Sequence, residues 1–124
     1  MPPNKIALIV EDSAEMAETL EIALLGVPLL DTHVVATVPE AVAFLKGNAV
    51  SAVLTDLNMP GMDGYELIAA IRAGGPRPPI LVISGETDPG AGPRALSLGA
   101  NAFFSKPYSP GEVRRKLEEL LNAA

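Results

Sequence analysis

Short apolar runs alternate along the chain with segments whose apolar positions recur every three or four residues. Residues 6–10, Ile-Ala-Leu-Ile-Val, predict a strand, and 13–25 predict a helix with Met16, Leu20, Ala23 and Leu24 at helical spacing, stopped by Gly26 and Pro28. Residues 34–38 predict a second strand. Residues 39–45 predict a short helix opened by Pro39 and closed by Gly47 and Asn48. The run 51–55 predicts a third strand, and Asp63 is the expected N-cap of a helix that carries Leu67, Ile68 and Ile71 and ends before Gly74-Gly75-Pro76. Strands over 80–83 and 102–105 follow, the first leading into a short, late-starting helix over 94–98, because prolines and glycines crowd 86–93. A helix over 109–121 closes the order, with Pro110 near its start and Val113, Leu117, Leu120 and Leu121 on one side.

Near-continuous apolar strands of this length suit a parallel sheet covered on both faces by helices, an α/β arrangement. Ligands of such sheets bind beyond the carboxyl ends of the strands. The polar residues fall there: Glu11 and Asp12 after the first strand, Asp56 after the third, Ser84 after the fourth, Lys106 after the fifth. Strand two contributes nothing comparable.

Composition narrows the function classes. The chain of 124 residues, 48% of them hydrophobic, is expected to form a single domain over 1–124, with Met1 a natural N-terminus. A net charge of -6 with 9 basic residues argues against a nucleic-acid surface. Cysteine is absent, which removes disulfide and thiolate chemistry, and the first apolar run is too short for a signal peptide or a membrane span. A cytoplasmic location and no membrane partner are the expectations.

Clustered carboxylates repel one another unless a cation or a proton stands between them. Asp12 and Asp56 can each give an oxygen to Mg²⁺, which prefers oxygen ligands and keeps several waters, while Glu11 acts through one of those waters. The Lys106 ammonium can pair with Asp56 or with a phosphoryl oxygen, and Ser84 and backbone N–H groups near Asn58 and Gly85 can donate to other phosphoryl oxygens. This inventory suits in-line attack by a carboxylate on phosphorus.

Over essentially its whole length the chain resembles the receiver domain of two-component response regulators. The marks are Glu11-Asp12, Asp56 with Pro60-Gly61-Met62-Asp63-Gly64, Ser84-Gly85 and Lys106-Pro107, in that order. The resemblance implies a flavodoxin-like (βα)5 doubly wound parallel sheet of strand order 2-1-3-4-5. It implies Asp56 as the phosphorylated residue, a Mg²⁺ site involving Glu11, Asp12, Asp56 and Asn58, and catalytic assistance from Lys106 and Ser84. Ser84 and Phe103 are the implied switch pair, Phe103 standing where many members carry tyrosine. Asn58 and Glu86 occupy positions that modulate phosphoryl loss in the single-domain chemotaxis regulators this chain is similar to. The implied partners are a sensor histidine kinase or histidine phosphotransfer protein, and a downstream protein effector on the surface of helix four, strand five and helix five. Such a protein phosphorylates and dephosphorylates itself without turning over an external substrate.

Two other classes compete. A hydrolase of the haloacid-dehalogenase type also forms an aspartyl-phosphate with Mg²⁺, but it needs a second acid two residues past the nucleophile, where this chain has Asn58. A phosphorylation-independent scaffold would have no use for the reactive residues. His33 reads as an exposed residue at the start of strand two, and no second histidine accompanies it in a metal site. Asp63 and Gly64 read as cap and turn, Met59 and Met62 as loop-shaping, and the charges from Glu112 to Glu119 as a solvated helix face.

Overall fold

The computed structural model describes residues 5–57, 64–85 and 89–122. Strands β1 (Lys5–Val10), β2 (Leu30–Val35), β3 (Ala52–Thr55), β4 (Ile80–Ser84) and β5 (Ala102–Ser105) alternate with helices α1 (Ala14–Ala23), α2 (Val38–Gly47), α3 (Gly64–Ala73), α4 (Ala91–Leu98) and α5 (Pro110–Asn122). All strand pairs are parallel, and the sheet order is β2-β1-β3-β4-β5. The flavodoxin-like expectation is borne out.

Burial explains which runs become central strands. Residues 7–10 of β1 and all of β3 and β4 are buried, so both their faces must be apolar. One cluster, built around Leu8, Val53, Leu67, Ile68 and Val82, packs the sheet against α2, α3 and α4. The other, around Ile9, Leu20, Leu54, Leu81 and Leu117, packs it against α1 and α5.

Two elements begin three or more residues from where the sequence pattern puts them. The second strand lies at Leu30–Val35 and not over 34–38, because it is an edge strand registered on β1 from Lys5↔Leu30 to Val10↔Val35. Asp31, His33 and Val34 on it are exposed. Thr37 then caps α2 by accepting from the Glu40 N–H at 3.2 Å, which draws buried Val38 into the helix. His33 accordingly sits within β2, where its ring stacks on Phe44 at 4.1 Å.

Helix α4 likewise begins at Ala91, three residues before the expected Arg94. Proline costs little in a first helical turn, where N–H groups have no intrahelical acceptor, so Pro93 does not delay the helix. Gly99, at φ 118°, ends it in the left-handed conformation. Ser13 and Ser109 cap α1 and α5 by accepting from the N–H groups of Met16 and Glu112.

Candidate active site

Strand ends set the site. Glu11, Asp56 and Lys106 each follow the last residue of a strand, and Ser84 ends β4. Backbone bonds extend the ladder to them: Glu11 N–H donates to Val35 O at 3.0 Å, Asp56 N–H to Val10 O at 3.3 Å, and Lys106 N–H to Ser84 O at 2.9 Å. The side chains therefore leave one rim of the sheet on fixed stems.

They meet at Lys106. Its Nζ donates to Glu11 Oε1 at 3.2 Å and to Asp56 Oδ2 at 3.0 Å. The other Asp56 oxygen, Oδ1, accepts from the Leu57 N–H at 2.6 Å, so the carboxylate is held at both ends. Side-chain exposure is 4% for Glu11, 11% for Asp56 and 21% for Lys106, leaving the ion pairs only partly screened by water. Asp12, by contrast, faces solvent beside them.

The charges settle unevenly. Burial raises the Glu11 pKa, the neighbouring Asp56 and Asp12 add to the rise, and the Ser13 N–H, donating to Oε2 at 3.2 Å, together with the Lys106 charge opposes it. Burial alone would lower the Lys106 pKa, but its bond to Asp56 and the charges of Asp56 and Glu11 outweigh that and raise it. Lys106 is therefore a firmly held cation.

Ser84 is fully buried, and Phe103 on β5 is half-buried beside the α2–α4 cluster, its backbone registered with Val82. Lys106–Pro107 is a cis bond. Asn58, Met59, Pro60, Gly61, Met62, Asp63 and Glu86 lie outside the described residues. The charged face of α5 is mostly exposed and carries pairs between Arg114 and Glu118 at 3.6 Å and between Lys116 and Glu119 at 3.3 Å.

Some contributors were not evident from the pattern. Thr55, inside an apolar run, turns its hydroxyl to the Asp56 carbonyl at 2.8 Å. Gly64 is the first residue of α3, and a side chain there would run into the Asp56 carbonyl and, at 2.7 Å, the Leu57 Cα. Its position directly after Asp63 was the available signal, yet a turn and a close backbone approach look alike in sequence.

The donor chemistry fits a hard cation. Glu11, Asp12 and Asp56 offer only carboxylate oxygens, the ligand type Mg²⁺ takes, and a buried carboxylate next to a second one gains from a nearby positive charge. Among the described residues no group of three acidic or histidine side chains converges closely enough to hold a metal by itself. Water and further oxygen ligands would have to complete the shell.

Comparison with known proteins places the chain in a family. The description "Response regulator receiver domain" matches residues 7–118, and the chain belongs to that family. It is a phosphoaccepting module that relays phosphoryl groups and modulates a binding surface, with the self-phosphorylating and self-dephosphorylating chemistry of the family. The family's site is Mg²⁺-dependent, and its members work between a phosphoryl-donating input and a downstream output.

The two-component response regulator ORR2 of Oryza sativa subsp. indica is 41% identical over 85 residues, which cover 67% of this chain and 34% of that protein. The transcriptional regulatory protein FixJ of Bradyrhizobium diazoefficiens is 31% identical over 123 residues, covering 94% of this chain and 56% of that protein. The chain thus spans about a third to just over half of these relatives. Among solved structures, the signal receiver domain of a histidine kinase from Syntrophus aciditrophicus matches at TM-score 0.84 and 31% identity, covering 94% of this chain and 89% of that one. The chemotaxis response regulator CheY4 of Vibrio cholerae matches at 0.81 and 25%, covering 94% and 98%. No helix among the described residues is long and apolar enough to cross a membrane.

Proposed function

We propose that Asp56 is the phosphoryl acceptor of this receiver domain, that a histidine kinase or histidine phosphotransfer protein is the donor, and that the resulting change is read by a protein on the face formed by α4, β5 and α5. The observation that carries the reading is the Lys106 ammonium shared between Glu11 and Asp56 on the carboxyl rim of the sheet. An Asp56 oxygen attacks the phosphorus of phosphohistidine, the phosphorus–nitrogen bond breaks, and the imidazole nitrogen leaves with the electron pair. Lys106, already bonded to Asp56, moves its donation to a phosphoryl oxygen. Ser84 gives its hydroxyl to another.

Glu11, Asp12, Asp56 and Asn58 are the residues assigned to Mg²⁺. When bound, the ion neutralises charge that gathers on the phosphoryl oxygens. Asn58 and Glu86 are assigned to hold the water that later attacks phosphorus, releasing phosphate and restoring the Asp56 carboxylate. The mark is accordingly transient.

Phosphorylation adds roughly -1.5 to -2 charge and new acceptor oxygens, which draw Ser84 toward Asp56. Phe103 turns into the space behind it. Lacking a hydroxyl, Phe103 gains no solvent hydrogen bond when it faces outward.

The test is mass spectrometry after incubation with a small phosphodonor and Mg²⁺. A single hydroxylamine-labile phosphoryl adduct is expected, absent from Asp56→Asn. A stable adduct, or one retained by that variant, would overturn the assignment.

A further inference from the structure

Helix α4 opens on a turn of poor helix formers. Its N-cap, Gly90, makes no side-chain capping bond, and Gly92 and Pro93 stand in the first turn. Gly92 carries an unexpected contact. A methyl group built on it would lie 3.3, 3.5 and 3.7 Å from Cδ1, Cγ and Cε1 of Phe103. One edge of the ring therefore stands against the space that a side chain at 92 would occupy.

The rest of α4 is anchored independently. Ala91 and Ala95 are buried in the core, and the Arg94 guanidinium stands 3.9 Å over the Tyr65 ring of α3. Room for Phe103 at this place depends on the missing side chain at 92.

We infer that Gly92 is a positioning residue for the switch: its bare backbone is the seat that holds Phe103 against α4 while Lys106 engages the Asp56 carboxylate, and it sets how readily the ring departs toward Ser84. This rests on the assignment of Asp56, Ser84 and Phe103 made above and names what regulates them. Carbon atoms pack best at about 3.5–4.0 Å, so a methyl at 92 presses on the ring in its seat and leaves the alternative arrangement untouched. Weakening one state raises the population of the other, and any ligand that favours that other state then binds more tightly. Helix propensity alone predicts only a firmer α4 on replacing glycine by alanine. The two effects are separable.

The test is titration of the full chain with beryllium fluoride, a phosphoryl analogue, in the presence of Mg²⁺. Gly92→Ala and Gly92→Ser are compared with the parent. Fluorophenylalanine labelling reports the ring, with Phe103→Leu used to assign its resonance. The Gly92 variants are expected to bind the analogue about fivefold more tightly. Their Phe103 resonance should stand part of the way toward its bound position before analogue is added. In a Phe103→Leu background the same substitutions should leave affinity unchanged. Equal or weaker binding in both Gly92 variants, an unmoved Phe103 resonance, or a gain that survives Phe103→Leu would overturn the inference alone. Failure of the parent chain to bind the analogue would overturn the Asp56 assignment and this inference with it.

Discussion

Glu11 and Lys106 respond to pH with the same sign in different windows: both folded pKa values are raised, so both groups lower stability as pH rises. Burial first, then the Asp56 and Asp12 carboxylates, raise the folded pKa of Glu11 above its ordinary 4.5. A carboxyl raised on folding binds its proton better in the native state, so its ionisation costs stability. That cost is absent well below 4.5, grows as pH rises to the folded value, and is constant beyond it. Glu11→Gln in metal-free buffer is therefore expected to melt higher than the parent at pH 7, with the gap narrowing toward pH 4. A gap that widens on acidification would contradict this. For Lys106 the folded pKa is above 10.5, so its contribution is complete below that value and fades as pH climbs through the folded one. Lys106→Met should cost about 1–3 kcal/mol at pH 7 in denaturant melts, since two largely buried carboxylates lose their cation, and less at pH 11. Tyr108 offers a gain: its hydroxyl is buried without a hydrogen-bond partner among the described residues, and Tyr108→Phe should add about 1 kcal/mol.

Helix placement depends on close approaches that apolar periodicity does not encode. At the C-terminal end of α3, Arg72 donates to the carbonyls of Gly99 at 2.8 Å and Pro78 at 2.9 Å and to Asn101 Oδ1 at 2.9 Å, tying α3 to the turns before β4 and β5. Gly99 is left-handed, and a side chain there would meet Arg72 Cγ at 2.5 Å. Gly99→Ala should consequently lower stability by more than the ~1 kcal/mol of the backbone conformation alone. Chemical denaturation checks this, and a neutral result would show that Arg72 is not a fixed clamp. At the other end of α3, Gly64→Ala should both destabilise the fold and slow phosphorylation, because the added methyl meets the backbone that carries Asp56. The central strands were legible because burial on two faces leaves continuous apolar runs, as in residues 7–10 and 52–54. The edge strand was not, since Asp31, Thr32 and His33 dilute its pattern and Val38, which resembles a strand residue, belongs to a helix opened by Thr37. Glycine carried least information: Gly64, Gly92 and Gly99 look alike in sequence and act through different neighbours.

Strand order brings distant residues together, which is why the rim was legible once the alternation of elements was recognised. Glu11 and Lys106, 95 positions apart, meet because β1, β3, β4 and β5 run parallel and end on one side. Their spacing along the chain says nothing of this; parallel pairing does. The same geometry concentrates acidic charge at one rim of a chain whose net charge is already -6. A divalent cation that relieves this repulsion binds the folded chain and finds no equivalent cluster in the unfolded one, so Mg²⁺ should raise the melting temperature saturably. At a hundredfold excess over the dissociation constant, mass action supplies about 2.7 kcal/mol, a shift of several degrees for a domain of this size. Sodium chloride at matched ionic strength screens charge without occupying the site and should give a smaller, non-saturating shift. Chelation should reverse the Mg²⁺ effect, and Asp12→Asn or Asp56→Asn should remove most of it. If sodium reproduced the full shift, or if the asparagine variants kept it, the rim would be responding to general screening, and assigning the metal to Asp12 and Asp56 would fail even with the fold intact.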